Sequence, residues 1–171
     1  MIFIKYILIF FAFFIFAIIG NLYSKKYSNR LSELEIMKNI LNIFKAKIKF
    51  TCTPLQDIFE EIYEENKDHI GEIFKCANQY MNNYNASEAW EKAIAEKKNQ
   101  TDFTEDDINV LKTLGKMLGN TDVEGQVSQI EITENFLMKE IKEAEEEKRK
   151  NTKLYKTLGV TAGLAVAIIL I

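Results

Sequence analysis

MIFIKYILIFFAFFIFAIIGNLY, residues 1–23, carries a single charge at Lys5, and from Tyr6 through Ile19 it carries none. A helix rising 1.5 Å per residue needs about 20 residues to cross a hydrocarbon layer of about 30 Å, so this stretch predicts a transmembrane helix. A cleaved secretory signal also begins with a positive charge and an apolar core. The segment that follows, AIIGNLY (17–23), has no small-x-small pair near Gly20, which favours a retained anchor. At the other end, residues 158–171 form a second uncharged run of 14. Counted from Leu154, with Lys156 reaching toward the headgroups, it has 18 residues, or about 27 Å of helix. That length only just spans, so shallow insertion, or packing beside the first segment, stays open. Gly159 and Gly163 stand four apart on one face, a spacing that permits close helix approach in lipid.

Taken whole, the composition suits a soluble domain, with 47% hydrophobic and 27% charged residues and a net charge of -3. The distribution says otherwise, because all 25 acidic residues fall between Glu33 and Glu147. Lys25, Lys26 and Arg30 follow the first apolar run, and Lys148, Arg149, Lys150, Lys153 and Lys156 precede the second. Basic residues gather on the cytoplasmic side of membrane spans, so the middle region is expected in the cytoplasm with both termini facing out. The same cations suit anionic lipid headgroups. Cys52 and Cys76 are isolated, with no CxxC and no histidine companion, and read as small core residues in a reducing compartment.

Residues 24–153 hold one Pro and few Gly, and their apolar residues recur at helical spacing almost throughout. The expected fold is therefore all-α: a six-helix cytoplasmic bundle over 24–153, flanked by transmembrane helices at 1–23 and 154–171. Leu31, Leu34, Met37 or Lys38, Leu41, Phe44 and Ile48 mark a first helix that can run straight out of the membrane. Thr53-Pro54-Leu55-Gln56 reads as a restart, with Thr53 as cap, Pro54 at the first helical position and Gln56 closing a capping box. Leu55, Ile58, Phe59, Ile62 and Tyr63 form the second stripe, and Ile70, Ile73, Phe74 and Ala77 the third. Asn85 caps a short fourth helix with Ala86, Ala89, Trp90, Ala93 and Ile94 on its inner face. Thr104 starts a fifth, with Ile108, Leu111, Leu114, Gly115 and Leu118, which Gly119 ends in a left-handed conformation. The sixth begins near Thr121 with Val123, Val127, Ile130, Leu137, Ile141 and Ala144. Beyond Ala144 its stripe fades into dense charge, which reads as a solvated stalk or as one strand of a coiled coil.

A domain of this size buries one core, so Trp90, Phe44, Phe59 and Phe74 require no cofactor. Chemistry finds little support. His69 is the only histidine, beside Asp68 at a helix start, and no Cys or His pattern suggests a metal. Glu60 with Glu61, Glu64 with Glu65, and Asp106 with Asp107 are paired carboxylates, but such pairs are the ordinary solubilising pattern of helix surfaces. There is no Gly-rich phosphate loop for nucleotide hydrolysis. An acidic middle region without a basic stripe also argues against nucleic acid.

Several blocks together resemble the stage III sporulation protein AB family, membrane proteins of endospore-forming bacteria. They are the apolar N-terminus, Thr53-Pro54-Leu55, the Trp90 segment, LKTLGKMLG (111–119) followed by Asp122 and Gln126, and KLYKTLGVTAG (153–163) leading into the apolar end. The resemblance implies a non-enzymatic component of a secretion-like complex between mother cell and forespore. Its soluble domain would be similar to the cytoplasmic helical domain of type II secretion platform proteins. It implies as partner the family's secretion-type ATPase, stage III sporulation protein AA, together with other membrane components and a possible second copy of the chain. It brings no catalytic residue and no cofactor. Its best interface candidates are the exposed residues within 114–126 and the helix start at Thr53. A membrane-anchored tether or signalling adaptor is the competing reading, although nothing outside the spans is available for sensing. A membrane enzyme would need convergent polar groups, and the spans offer only Asn21, Thr157 and Thr161.

Overall fold

The computed structural model describes residues 2–51 and 53–170, with side chains at 9–11, 13–51 and 53–169. Cys52 and the side chain of Lys5 lie outside the described residues. The chain is all-α, with six α-helices among the described residues: α1 (Ile2–Ala46), α2 (Leu55–Glu65), α3 (His69–Tyr80), α4 (Ala86–Lys97), α5 (Glu105–Gly115) and α6 (Val123–Leu170). The expectation of six bundle helices plus two separate membrane helices is thus corrected. The first and last bundle helices are continuous with the apolar ends. The physical reason is the absence of a breaker: neither 20–31 nor 143–158 contains proline or a helix-capping glycine, and the backbone has no cause to stop. At 45 and 48 residues, α1 and α6 are about 67 and 72 Å long, more than twice a hydrocarbon layer.

Two compact units divide the chain, one of Met1–Leu31 with Glu143–Ile171 and the other of Ser32–Lys142. In the first, the two apolar segments, with mean hydropathy 1.4 and 1.2, belong to helices that bury only 12% and 11% of their most apolar windows. A core helix of a soluble protein would be mostly buried, so this exposed apolar surface, including Phe10, Phe11, Phe14, Ile18, Leu164 and Ile168, is made for lipid. The helices meet through glycine. A Cβ on Gly20 would lie 2.8 Å from Gly159 Cα, and one on Gly163 would lie 2.8 Å from the Phe13 ring. The spacing of Gly159 and Gly163 therefore serves close backbone approach. Beyond this crossing, Tyr155 stacks on both Tyr23 (5.8 Å) and Tyr27 (5.7 Å), and the buried Arg30 guanidinium donates to Glu147 at 2.8 Å.

In the second unit, Leu34, Met37, Leu41 and Phe44 of α1 and Ile48 of the π-helical turn that follows it (Lys47–Thr51) are buried, as their helical spacing predicts; Ile40 is buried beside them, while Lys38 stays half-exposed. Helix α2 packs on α3, α3 on α4 and α4 on α5. Phe44, Phe59, Phe74 and Trp90 stack through the middle at centroid distances of 5.1 to 5.9 Å. On α6, Ile130 and Leu137 are buried in this unit and Ala144 in the first, but Val123 is exposed and Val127 and Ile141 are half-exposed.

Three helix starts follow from short polar side chains. Asp68 accepts from the amides of Ile70 and Gly71, Asn85 from that of Glu88, and Thr104 with Asp107 forms a complete capping box. The start of α2 differs from expectation. Pro54 is its N-cap, with no side-chain cap, and its carbonyl accepts from Ile58 at 3.1 Å. Thr53 is drawn away: its hydroxyl bonds that of Thr51 at 2.6 Å, and Thr51 in turn donates to the Lys47 carbonyl in the π-helical turn (Lys47–Thr51) that closes α1. Helix α5 also stops earlier than expected, at Gly115, and a run of tight turns then carries residues 116–120 to Gly119, which adopts φ +69°.

Candidate functional site

Trp90 organises the region where the sequence concentrates its candidate residues. The side chain is fully buried, lies 5.1 Å from the Phe74 ring and 5.9 Å from that of Phe59, and donates its indole N–H to the Leu111 carbonyl at 2.8 Å. A buried indole N–H without a partner would carry a desolvation penalty, and this bond removes it while tying α4 to α5. One turn on, Leu114 is buried and Gly115 lets the helices close. A Cβ at Gly115 would stand 2.7 Å from Trp90 Cδ1. Leu114 and Trp90 thus shape the surface from beneath.

After α5 the chain turns through an exposed corner. Gly119 sits there in the left-handed region, with its hypothetical Cβ 3.2 Å from Ala86 and 3.7 Å from Leu55 Cδ1, so the corner rests on the starts of α4 and α2. Asp122 is exposed and opens α6 by accepting from the Gly125 amide at 2.9 Å. Gln126 donates to the Thr121 carbonyl at 3.1 Å, while its Oε1 is buried with no partner among the described residues. Gln129 reaches back to the Thr113 carbonyl at 2.9 Å. These bonds fix the corner to the end of α5.

The acidic candidates sort differently. Glu60, Glu61, Glu64 and Glu65 are exposed along α2, with Glu61 paired to Lys47 and Glu64 to Lys67 at 3.1 Å. The Glu61 carboxylate raises Lys47 above the usual ammonium range. Asp106 is exposed at the start of α5. Asp107 is fully buried instead of facing outward, because its carboxylate accepts from the Thr104 amide at 2.8 Å while its own amide donates to the Thr104 hydroxyl at 3.2 Å. Thr53, Pro54 and Leu55 are half-buried, exposed and half-buried in turn.

Several buried or half-buried polar groups carried no sequence signal, since they sit on otherwise ordinary helices. Glu134 is buried on α6 and accepts from Lys45 at 2.6 Å, with Glu131 at the outer limit of the same lysine's reach. Glu33 accepts from the Asp102 amide at 2.7 Å, and burial raises its carboxyl above the usual range, an effect that the amide bond partly opposes. Cys76 is buried, as expected, and burial pushes its thiol up to about 11. His69 is exposed at the start of α3. No group of three or more His, Cys, Asp or Glu among the described residues is placed to hold a metal ion.

This arrangement has known counterparts. A family model for stage III sporulation protein AB matches residues 5–171. Stage III sporulation protein AB of Bacillus subtilis (strain 168) is 25% identical over 149 residues, which are 86% of this chain and 87% of that protein. A solved structure of a stage III sporulation protein AB superposes with a TM-score of 0.66 at 20% identity, over 70% of this chain and 96% of that one. At that identity the likeness speaks for the fold.

Proposed function

Because the chain belongs to the stage III sporulation protein AB family, whose members are sporulation-associated membrane proteins without an enzymatic role, we propose that it is a platform component of a secretion-like complex. In this reading the bundle faces the cytoplasm, on the mother-cell side, and docks a secretion-type ATPase of the kind represented by stage III sporulation protein AA. The ATPase supplies the chemistry, and this chain carries the resulting displacement to the bilayer. The observation that carries the reading is that α1 and α6 each pass between the apolar ends and the bundle as uninterrupted helix. A flexible Gly/Ser linker would absorb a displacement, whereas helix transmits it. The basic residues at 25–30 and 148–156 supply the expected orientation and suit anionic lipid. The docking face is formed by Glu60, Glu61, Glu64 and Glu65 of α2 and by Asp106, with the exposed corner around Gly119 and Asp122 beside the start of α2. A basic partner surface would be steered to these acids.

The test is calorimetric titration of the ATPase into the full-length chain in nanodiscs, repeated with Glu60, Glu61, Glu64, Glu65 and Asp106 changed to their amides. Asp107 is left intact, because it closes the Thr104 capping box. Saturable binding weakened by those changes is the expected result. No heat at concentrations up to about 100 μM would discard direct docking and favour a tether.

A further inference from the structure

Charges that never meet line a recess between α4 and α5. It has a volume of about 330 Å³ and is walled by Ser87 and Glu91 on one side and by Asn109, Lys112, Thr113 and Lys116 on the other, with Gly115 at its floor. The close Gly115 to Trp90 contact pins the two helices, and the recess opens beside it. Lys112 and Lys116 stand one helical turn apart, and among the described residues neither forms an ion pair, nor does Glu91. Elsewhere in the same unit Lys45, Lys47, Lys67, Lys75, Lys97 and Lys98 each hold a carboxylate, while Lys38, Lys49, Lys92, Lys139 and Lys142 form no ion pair among the described residues; Lys112 and Lys116 differ from these in lining one recess together. The end of α5 favours cations through the helix dipole, which accounts for lysines there. It does not account for two like charges at neighbouring positions on a polar recess, where they repel each other.

We infer that this recess docks an acidic helical segment of a partner polypeptide. Carboxylates four residues apart on a helix have the same spacing as Lys112 and Lys116, so one pair can meet the other, while an amide or cation on the same segment meets Glu91. Charge makes the site selective. Residues 32–142 carry 21 Asp and Glu against 13 Lys, a net of -8, so the field of the unit as a whole repels an acidic partner and only a local pair of cations can retain one. The recess differs in sign and in residues from the acidic face assigned to the ATPase, so its failure would leave that assignment standing.

The experiment measures fluorescence anisotropy of a dye-labelled, alanine-based helical peptide carrying two Glu four residues apart. It is titrated with the full-length chain in phosphatidylcholine nanodiscs, with empty nanodiscs as the blank. Saturable binding is expected, weakened about tenfold or more by Lys112→Gln with Lys116→Gln and by raising NaCl from about 50 to about 500 mM. The peptide with Gln in place of Glu should not bind, and Lys139→Gln with Lys142→Gln should bind like the parent. Because Lys112 is half-exposed and Lys116 exposed, the double variant should keep the parent's thermal midpoint, which the same samples report. Binding unchanged by the double substitution, or none with either component at about 1 mM, would overturn the inference. So would phosphatidylglycerol vesicles binding in a Lys112- and Lys116-dependent way while the peptide does not, since the cations would then serve lipid.

Discussion

The two units reach compactness by opposite means. The unit of residues 32–142 excludes water with large side chains, stacking Phe44, Phe59, Phe74 and Trp90 inside a charged exterior of net -8. The unit of residues 1–31 and 143–171 leaves its large apolar side chains outside, brings helices together where side chains are missing at Gly20, Gly159 and Gly163, and carries a net +5 from nine Lys and Arg against four Glu. The difference is one of solvent. In water, burying aromatic surface drives association, whereas in lipid the exterior is as apolar as the interior and helices gain from close backbone packing. A substitution should therefore act according to the unit in which it falls.

Trp90→Ala is the most severe way to probe the first half of that contrast. It removes the largest buried side chain and strands the Leu111 carbonyl, so the 32–142 unit should lose about 3–5 kcal/mol in denaturant unfolding followed by circular dichroism. An unchanged midpoint would mean that the aromatic stack does not hold this unit together.

Gly115→Ala sharpens the contrast from within the same unit, where glycine serves an aromatic contact instead of a lipid-facing one. On sequence alone this change looks mild beside Gly119→Val. The 2.7 Å approach to a fully buried indole removes that difference, since the ring or α5 must shift to admit a methyl group. Gly115→Ala should cost about 1–3 kcal/mol by overpacking. Gly119→Val should cost a similar amount by strain at φ +69°, relieved in part because Gly119 is exposed. Differential scanning calorimetry of both variants against the parent gives the comparison.

Much of this was legible in the sequence where a single local cause operates. Asp68, Asn85 and Thr104 announce helix starts because a short acceptor beside an apolar stripe has few other uses, and Gly119 announces a left-handed residue for the same reason. The stripe of α1 was legible because burial repeats every three or four residues. Legibility failed where two causes compete. Thr53 has a cap's chemistry, but the Thr51 hydroxyl lies within its reach and takes it. The apolar ends and the bundle helices read as separate elements because their composition changes sharply, whereas the backbone responds only to breakers and finds none. Gly20 looked like the end of an apolar run, and its role opposite Gly159 depends on a partner more than 100 positions away. Lys112 and Lys116 carry no sequence signal, because the recess they share with Glu91 exists only once α4 packs on α5.

Gly159→Leu breaks the second half of the contrast with a smaller effect. A side chain at 159 would meet the Phe16 carbonyl at 2.8 Å and Gly20 Cα at 2.9 Å, so the crossing must open. Lipid fills the gap, which limits the loss to about 1 kcal/mol, the scale of single helix contacts in bilayers. Disulfide formation between cysteines placed at Tyr23 and Tyr155, whose rings stack in the parent, should fall several-fold in the Gly159→Leu background, with Cys52 and Cys76 replaced by Ser. The unfolding midpoint of the 32–142 unit should not move. A matching loss there would show that the two units do not answer separately.

The smallest effect tests whether the water-facing unit titrates as its burial dictates. Burial holds the Glu33 carboxyl above its unfolded value, although the Asp102 amide donates to it at 2.7 Å. Between the unfolded and folded values the folded chain keeps a proton that the unfolded chain has lost. Stability therefore falls as pH rises through that window and stays reduced above it. Gln at this position keeps an oxygen to accept from Asp102 and carries no charge, so Glu33→Gln should be more stable than the parent at pH 7, by less than about 1 kcal/mol. The advantage should vanish below the unfolded carboxyl value, near pH 4. Thermal midpoints of parent and variant across pH 4 to 8 read the difference directly, and a gap that stays constant over that range would assign the effect of Glu33 to packing instead of to its charge.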